Sequence, residues 1–516
     1  MRLVLAGVNC VALCAAAVTA PDPSSLANVL LIVVDNLRPA LGSYGDQLAV
    51  TPAIDAFAIN ATIFANAICQ VAWCAPSRNS FLSGRRPGVT EAYNFLDSFR
   101  EVGPTWVTLP GAFRNAGYYT TSLGKVFHPG LPPDNDAVLS WSDEPFAPSK
   151  PGCPNDTMTC AATPETPDVD AASTDELISR LVARPTGKPF FAALGLQAPR
   201  LPWVFSPTEA ARLPPADAFP LPAQPTAEGL DSLEYFRPTE VDQYSDVRNI
   251  THATPMSPNE TRAVRRAYYA TVSGVDTQVG RALAWLDAAG LANSTVVAIV
   301  ADHGQALGER NLWSMMSTLD ASTRVPMIVR AAPVGRQQRV YAHPVELVDL
   351  MPTLAALAGL PPLPAAWALP GVDLSRALSP GGRVSKNASF SQITRCLNCS
   401  LAYGGGNEAE QCVWDAAADA RFTVPCAKAP RTTFDAMGIS IRTDDWRYTE
   451  WCVWNGTTLS PNLQTCAHEE LFDHRGEAGV QPLFRPDGEA QNVAGDPRFA
   501  GVQSALHARL ALEFST

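Results

Sequence analysis

Asn28-Val29-Leu30-Leu31-Ile32-Val33-Val34-Asp35-Asn36 is the stretch that decides the fold class, an almost wholly aliphatic run that stops on two polar residues. A strand with one wet face alternates apolar and polar side chains. An unbroken aliphatic run predicts a strand buried on both faces, as in a mostly parallel sheet covered by helices. Outward from it the pattern recurs. A helical segment at 108–116 leads through Gly117 to a strand at 118–123, and Phe190–Leu196 reads as another strand. A long helix at 261–289 places Tyr269, Val272, Val279, Leu283 and Leu286 on one side and hands over at Gly290 to a strand at 295–300. Met327–Arg330 is a further short strand and 347–357 a helix. This alternation predicts an α/β architecture. Pro-rich stretches at about 128–170 and 199–240 are expected to wall the mouth of a site. No internal repeat is present. Beyond about residue 370, clustered cysteines, Gly404-Gly405-Gly406 and strand signals at 438–442 and 446–451 predict a smaller α+β subdomain, which divides the chain into 21–370 and 371–516.

The composition places these elements in a secretory context. At 516 residues the chain is ample for a large core. Residues 1–20, with Arg2, an apolar run and Val18-Thr19-Ala20, read as a signal peptide, and no later stretch is long and apolar enough for a membrane span. Sequons at Asn60, Asn155, Asn249, Asn259, Asn293, Asn387, Asn398 and Asn455 predict a glycoprotein that is secreted or lysosomal. Cys153 and Cys160 form a natural local disulfide, the six C-terminal cysteines suffice for three more, and Cys69 is left free. Cys396-x-x-Cys399 also fits zinc or redox chemistry, but the oxidising compartment favours a disulfide partner for each. A net charge of −12 argues against nucleic acid, and any anionic substrate must be held by local positive charge.

Ligands of open α/β sheets bind beyond the carboxyl ends of strands. Asp35-Asn36 ends the first strand and Asp302-His303-Gly304 ends the strand at 295–300. Either dipeptide alone is most often a cap or a turn. Together, as hard donors at two strand ends, they suit one Ca²⁺ or Mg²⁺.

Cys74-Ala75-Pro76-Ser77-Arg78, continuing through Leu82-Ser83-Gly84-Arg85, carries the chemistry. An isolated cysteine in a secreted chain is usually buried or disulfide-bonded. Here the pentapeptide resembles the signature of the type I, formylglycine-dependent sulfatase family, in which a formylglycine-generating enzyme oxidises the cysteine before folding. The resemblance is nearest to the iduronate-2-sulfatase branch. It extends to Val34-Asp35-Asn36-Leu37-Arg38-Pro39, Thr51-Pro52-Ala53-Ile54-Asp55, Gly124-Lys125-Val126-Phe127-His128-Pro129-Gly130, Asp302-His303-Gly304 with Ala306-Leu307-Gly308-Glu309, and Ser440-Ile441-Arg442-Thr443. It implies an alkaline-phosphatase-like sandwich, with a large mostly parallel sheet flanked by helices and a C-terminal antiparallel sheet. It also implies one Ca²⁺ held by Asp35, Asn36, Asp302, His303 and the formylglycine derived from Cys74. Arg78 would steady the aldehyde hydrate, and Lys125 and His128 would contact the hydrate and the sulfate. One hydroxyl of the hydrate would attack sulfur, and the other would expel sulfate by reforming the aldehyde.

Three positions depart from that branch. Asn36 stands for a second aspartate, which removes a charge but keeps an oxygen. Gln197-Ala198-Pro199-Arg200 stands for His-Lys-Pro-His, and Arg200 can clamp an oxyanion but cannot give up a proton. Met315 stands for a lysine. The sequence therefore predicts a sulfuric ester hydrolase acting on a sulfated carbohydrate or aryl sulfate, the alternative being a catalytically impaired, sulfatase-like binder of a sulfated ligand. A phosphatase on the same fold would need clustered histidines, and only seven histidines are present in all.

Overall fold

The computed structural model describes residues 26–224, 226, 233–236, 239–247, 250, 254–333, 338–397 and 426–515. The expected signal peptide, the sequons at Asn249 and Asn398, and Cys399 and Cys412 lie outside the described residues.

Seven strands form the large sheet: β1 (Asn28–Val34), β2 (Thr62–Phe64), β3 (Tyr119–Gly124), β4 (Phe190–Leu196), β5 (Thr295–Ala301), β6 (Met327–Arg330) and β7 (Arg339–Tyr341). Their spatial order is β7-β2-β6-β5-β1-β4-β3. All run parallel except β6, which is antiparallel to both neighbours. The aliphatic run is thus central, between β4 and β5, and Val29 to Val34 are at most 1% exposed. Each such side chain contributes roughly 1.5–3 kcal/mol by leaving water.

Helices cover the sheet. Those that bear on the site are α1 (Cys74–Ser83), α2 (Leu109–Asn115), α3 (Val169–Ala183) and the long α4 (Pro258–Ala288). α4 begins with a capping box, Ser257 Oγ accepting from the Glu260 amide and Glu260 accepting from the Ser257 amide, with Pro258 at the first turn. Its Asp276 accepts the amides of Ala53 and Ile54, which fixes the short helix that Thr51-Pro52-Ala53-Ile54-Asp55 begins.

A second sheet, in the order β8 (Ser389–Arg395), β9 (Ala436–Arg442), β10 (Trp446–Asn455), β11 (Ser460–Asp473), is wholly antiparallel, and the helix α5 (Ala500–Phe514) packs on it. The disulfide Cys153–Cys160 is present, and Cys69 is a buried free thiol. Cys396 pairs with Cys426 and Cys452 with Cys466, so Cys396 is not available to zinc.

Candidate active site

The register of the parallel strands assembles the site. Val34 of β1 lies level with Leu196 of β4 and Ala301 of β5, and Gly124 of β3 is level with Gly195. The residues that follow, Asp35, Lys125, Gln197 and Asp302, therefore emerge at one sheet edge. Close approach at this edge requires glycine. A Cβ on Gly195 would lie 2.1 Å from the Lys125 carbonyl carbon, and one on Gly124, whose φ is +71°, 2.0 Å from the Gly195 oxygen.

Cys74 opens α1, where backbone N–H groups face outward and the helix dipole favours negative charge. Its Sγ is 3.1 Å from His303 Nε2 and 3.8 Å from Asn36 Oδ1. Burial, with Asp35 beside it, raises the thiol above its ordinary pKa. One ligand atom each from Asp35, Cys74, Asp302 and His303 lies within 4.8 Å of all the others, and all four residues are buried. His303 Nδ1 lies 2.9 Å from the Gly304 carbonyl, to which it can only donate, and Nε2 faces Cys74 Sγ at 3.1 Å and Asp302 Oδ2 at 3.4 Å.

Arg78 bridges the two aspartates beside residue 74. Its Nε donates to Asp302 Oδ2 and its Nη2 to Asp35 Oδ1, both at 2.9 Å, while Nη1 donates to the carbonyls of Lys125 and Val126. It is a clamp that spaces two carboxylates and ties the Lys125 turn to them. Lys125 Nζ donates to Asp35 Oδ2 at 2.6 Å. Burial pushes Asp35 up, but Lys125 and Arg78 overcome that and hold it well below the usual carboxylate range. Burial dominates at Asp302, which is raised.

His128 Nε2 and Arg200 Nε at the site are buried and have no hydrogen-bond partner, as is Gln305 Nε2 beside Asn36. Arg200 Nε stands 4.0 Å from Asp35 Oδ2 and 3.9 Å from Glu240 Oε1. His128 Nδ1 lies 3.1 Å from the Pro129 carbonyl, and burial beside Lys125 and Arg200 depresses the ring to about 2. In this state the imidazole is neutral.

Sequence reasoning passed over Asp170, Gln305 and Lys150. Asp170, on α3, accepts the amides of Gln197 and Ala198 and so places Arg200; burial pushes it up to about 6. Gln305 accepts from Asn36 Nδ2 at 2.8 Å. Lys150 Nζ donates to the Arg200 carbonyl, and burial with Arg200 nearby brings it down to about 7. No spacing in the sequence links Asp170 or Lys150 to the site, whereas Gln305 directly follows Asp302-His303-Gly304. Glu309 was legible only as part of a motif; it is gripped by Arg38 at 2.8 Å and Arg265 at 3.3 Å, which makes it a buttress.

A family model described as Sulfatase matches residues 27–360. Iduronate 2-sulfatase of Homo sapiens is 35% identical over 530 residues, covering 92% of this chain and 93% of the relative. Arylsulfatase K of Gallus gallus is 28% identical over 362 residues, covering 66% of this chain and 65% of the relative. Two solved structures share the fold. A 2-O GAG sulfatase superposes with a TM-score of 0.65 at 22% identity, covering 95% of this chain and 92% of that one. A phosphonate monoester hydrolase of Agrobacterium radiobacter does so with a TM-score of 0.67 at 20% identity, covering 94% and 95%.

Proposed function

The chain belongs to the sulfatase family, the sulfuric ester hydrolases, and from that premise we propose that the cluster around Cys74 cleaves the sulfate ester of a sulfated carbohydrate or aryl sulfate. The observation that carries this reading is the convergence of Asp35, Cys74, Asp302 and His303 at one buried point. The oxygens gathered there fit a hard cation: the carboxylates of Asp35 and Asp302 and, from Asn36, an amide oxygen turned toward Cys74, with the His303 imidazole beside them. Asp35, Asn36, Asp302, His303 and residue 74 would hold one Ca²⁺. A bound Ca²⁺ supplies a Lewis acid for a sulfate oxygen, and a formyl group made from Cys74 by the formylglycine-generating enzyme supplies, as its hydrate, the attacking hydroxyl.

The other residues take roles that follow from their contacts. Arg78 keeps the two carboxylates at their spacing. Lys125 neutralises Asp35 and brings positive charge to the sulfate. Arg200 Nε and His128 Nε2 are buried polar nitrogens awaiting an acceptor, and a sulfate oxygen would satisfy both, with His128 gaining a proton as the anion arrives.

A second reading, a sulfatase-like binder, rests on one observation. His128 is neutral, and Arg200 is held above its already high ordinary value, so neither is poised to protonate a leaving alcohol.

A division at about residue 370 is supported by a second hydrophobic cluster drawn mainly from residues 388–510, which Tyr93 joins, while the first cluster reaches past that point to Ile393, Trp451 and Phe472. Passage through the secretory pathway, to the lysosome or outside the cell, agrees with the disulfides and with exposed sequon asparagines at Asn155, Asn259, Asn293, Asn387 and Asn455. No helix among the described residues is long and apolar enough to cross a membrane.

The test is sulfate release from a panel of aryl and carbohydrate sulfates, with Ca²⁺ present and the Cys74 peptide shown by mass to carry the aldehyde. Release that vanishes in Cys74→Ala supports hydrolysis. Tight binding without release from fully converted protein supports the second reading.

A further inference from the structure

Asn36 is an awkward cation ligand. A carboxylate offers an oxygen whichever way it turns, whereas an amide offers oxygen in one orientation and an N–H donor in the other. Something must choose between them. Asn36 Nδ2 donates to Gln305 Oε1 at 2.8 Å and lies 3.5 Å from Met315 Sδ, while Oδ1 faces Cys74. Gln305 by itself would not settle the choice, because turning both amides over would preserve a hydrogen bond between them. Met315 breaks that symmetry, since a thioether accepts weakly and donates nothing, and its sulfur favours the N–H side of Asn36. Gln305 accepts this arrangement at a local cost. It is 1% exposed, and its own Nε2 is buried without a partner.

We propose that Gln305, with Met315 behind it, is a positioning residue that locks the Asn36 side chain with its oxygen toward the cation and so makes an amide a usable ligand. The inference rests on the metal site proposed above. It assigns Met315, where the family resemblance expects a lysine, a purpose tied to Asn36: an ammonium at that place would donate, and so favour the flipped amide. Partners that orient metal ligands typically change affinity by about 10- to 100-fold.

The test is Ca²⁺ titration by calorimetry on the full chain, in wild type, Gln305→Leu, Asn36→Asp and the double variant. Gln305→Ala serves as a second replacement should leucine disturb folding, which melting in the absence of Ca²⁺ reports. Gln305→Leu is expected to weaken Ca²⁺ binding by about 10-fold or more. In the Asn36→Asp background, where either oxygen can face the cation, the same replacement is expected to cost less than about 3-fold. A merely structural role for Gln305 would lower affinity equally in both backgrounds, and that result overturns the inference. So does unchanged affinity in Gln305→Leu while wild type binds Ca²⁺. A wild-type chain that binds no Ca²⁺ overturns the metal reading itself, and this inference with it.

Discussion

Arg78 shows how a signature residue can be found by sequence while its partners stay hidden. The family resemblance gives it a role at residue 74, and its guanidinium also reaches Asp35 and Asp302, residues 43 and 224 positions away. Buried charges held this way are costly to uncover, because removing one partner strands the others; Arg78→Met is expected to cost about 3–5 kcal/mol, read from chemical denaturation. Arg200 invites a different experiment. Its Nε has no hydrogen-bond partner, so its loss should leave the fold intact and weaken the hold on sulfate: Arg200→Ala is expected to lower kcat/KM by about 100-fold, with Arg200→Lys recovering part of it. Equal loss in both variants would contradict a role for charge and leave only the planar fork to explain the loss.

At the scale of elements, the strands that carry the site were the most legible part of the sequence. β1 and β4 match their aliphatic runs, and β3, β5 and α4 differ from expectation by one to three residues at their ends. Such strands are buried on both faces, so their whole length is written in aliphatic residues. The elements that escaped notice lack that signal. α3 buries Ser173 and Thr174, whose hydroxyls bond back to the Val169 and Asp170 carbonyls, and so reads as polar. β11 is a long strand whose middle is largely exposed, and its alternation is too broken to count. Among long-range details, the contact of Gly195 with the Lys125 backbone could not be read from either segment alone. Gly195→Ala should push Lys125 off Asp35, lowering kcat while the chain still folds; activity within about 2-fold of wild type would show that the strand edge yields to a methyl group.

Over the whole molecule, the antiparallel sheet supports the loop that bears His303. Asp320, whose short helix packs against Gly304, meets Arg447 and Arg442 of the second sheet, and Glu489 joins Arg447 to the Asp320 amide. His474 stands between Glu477 at 2.9 Å and Glu489 at 3.2 Å. Burial and Arg442 pull its pKa down, but the bonds to both carboxylates outweigh them and raise it. Its stabilisation is therefore complete below the unfolded value of about 6.5 and is lost as pH rises through the raised folded value. His474→Gln should lose more stability at pH 5 than at pH 8, measured as denaturation midpoints; an equal loss at both pH values would mean that the imidazole acts by shape alone. This network joins parts of the chain far apart in sequence, including Ser440-Ile441-Arg442-Thr443, whose place in the family pattern was visible although its purpose was not.

The proposed function requires that Asp35, Asn36, Asp302 and His303 surround a cation at residue 74. Anomalous diffraction from crystals of the aldehyde-bearing protein grown with Ca²⁺ tests it most directly. One strong peak is expected at about 2.3–2.6 Å from oxygens of Asp35, Asn36 and Asp302, beside His303 and residue 74. Density without a peak there, or a peak that leaves the Asn36 oxygen out of reach, would contradict it.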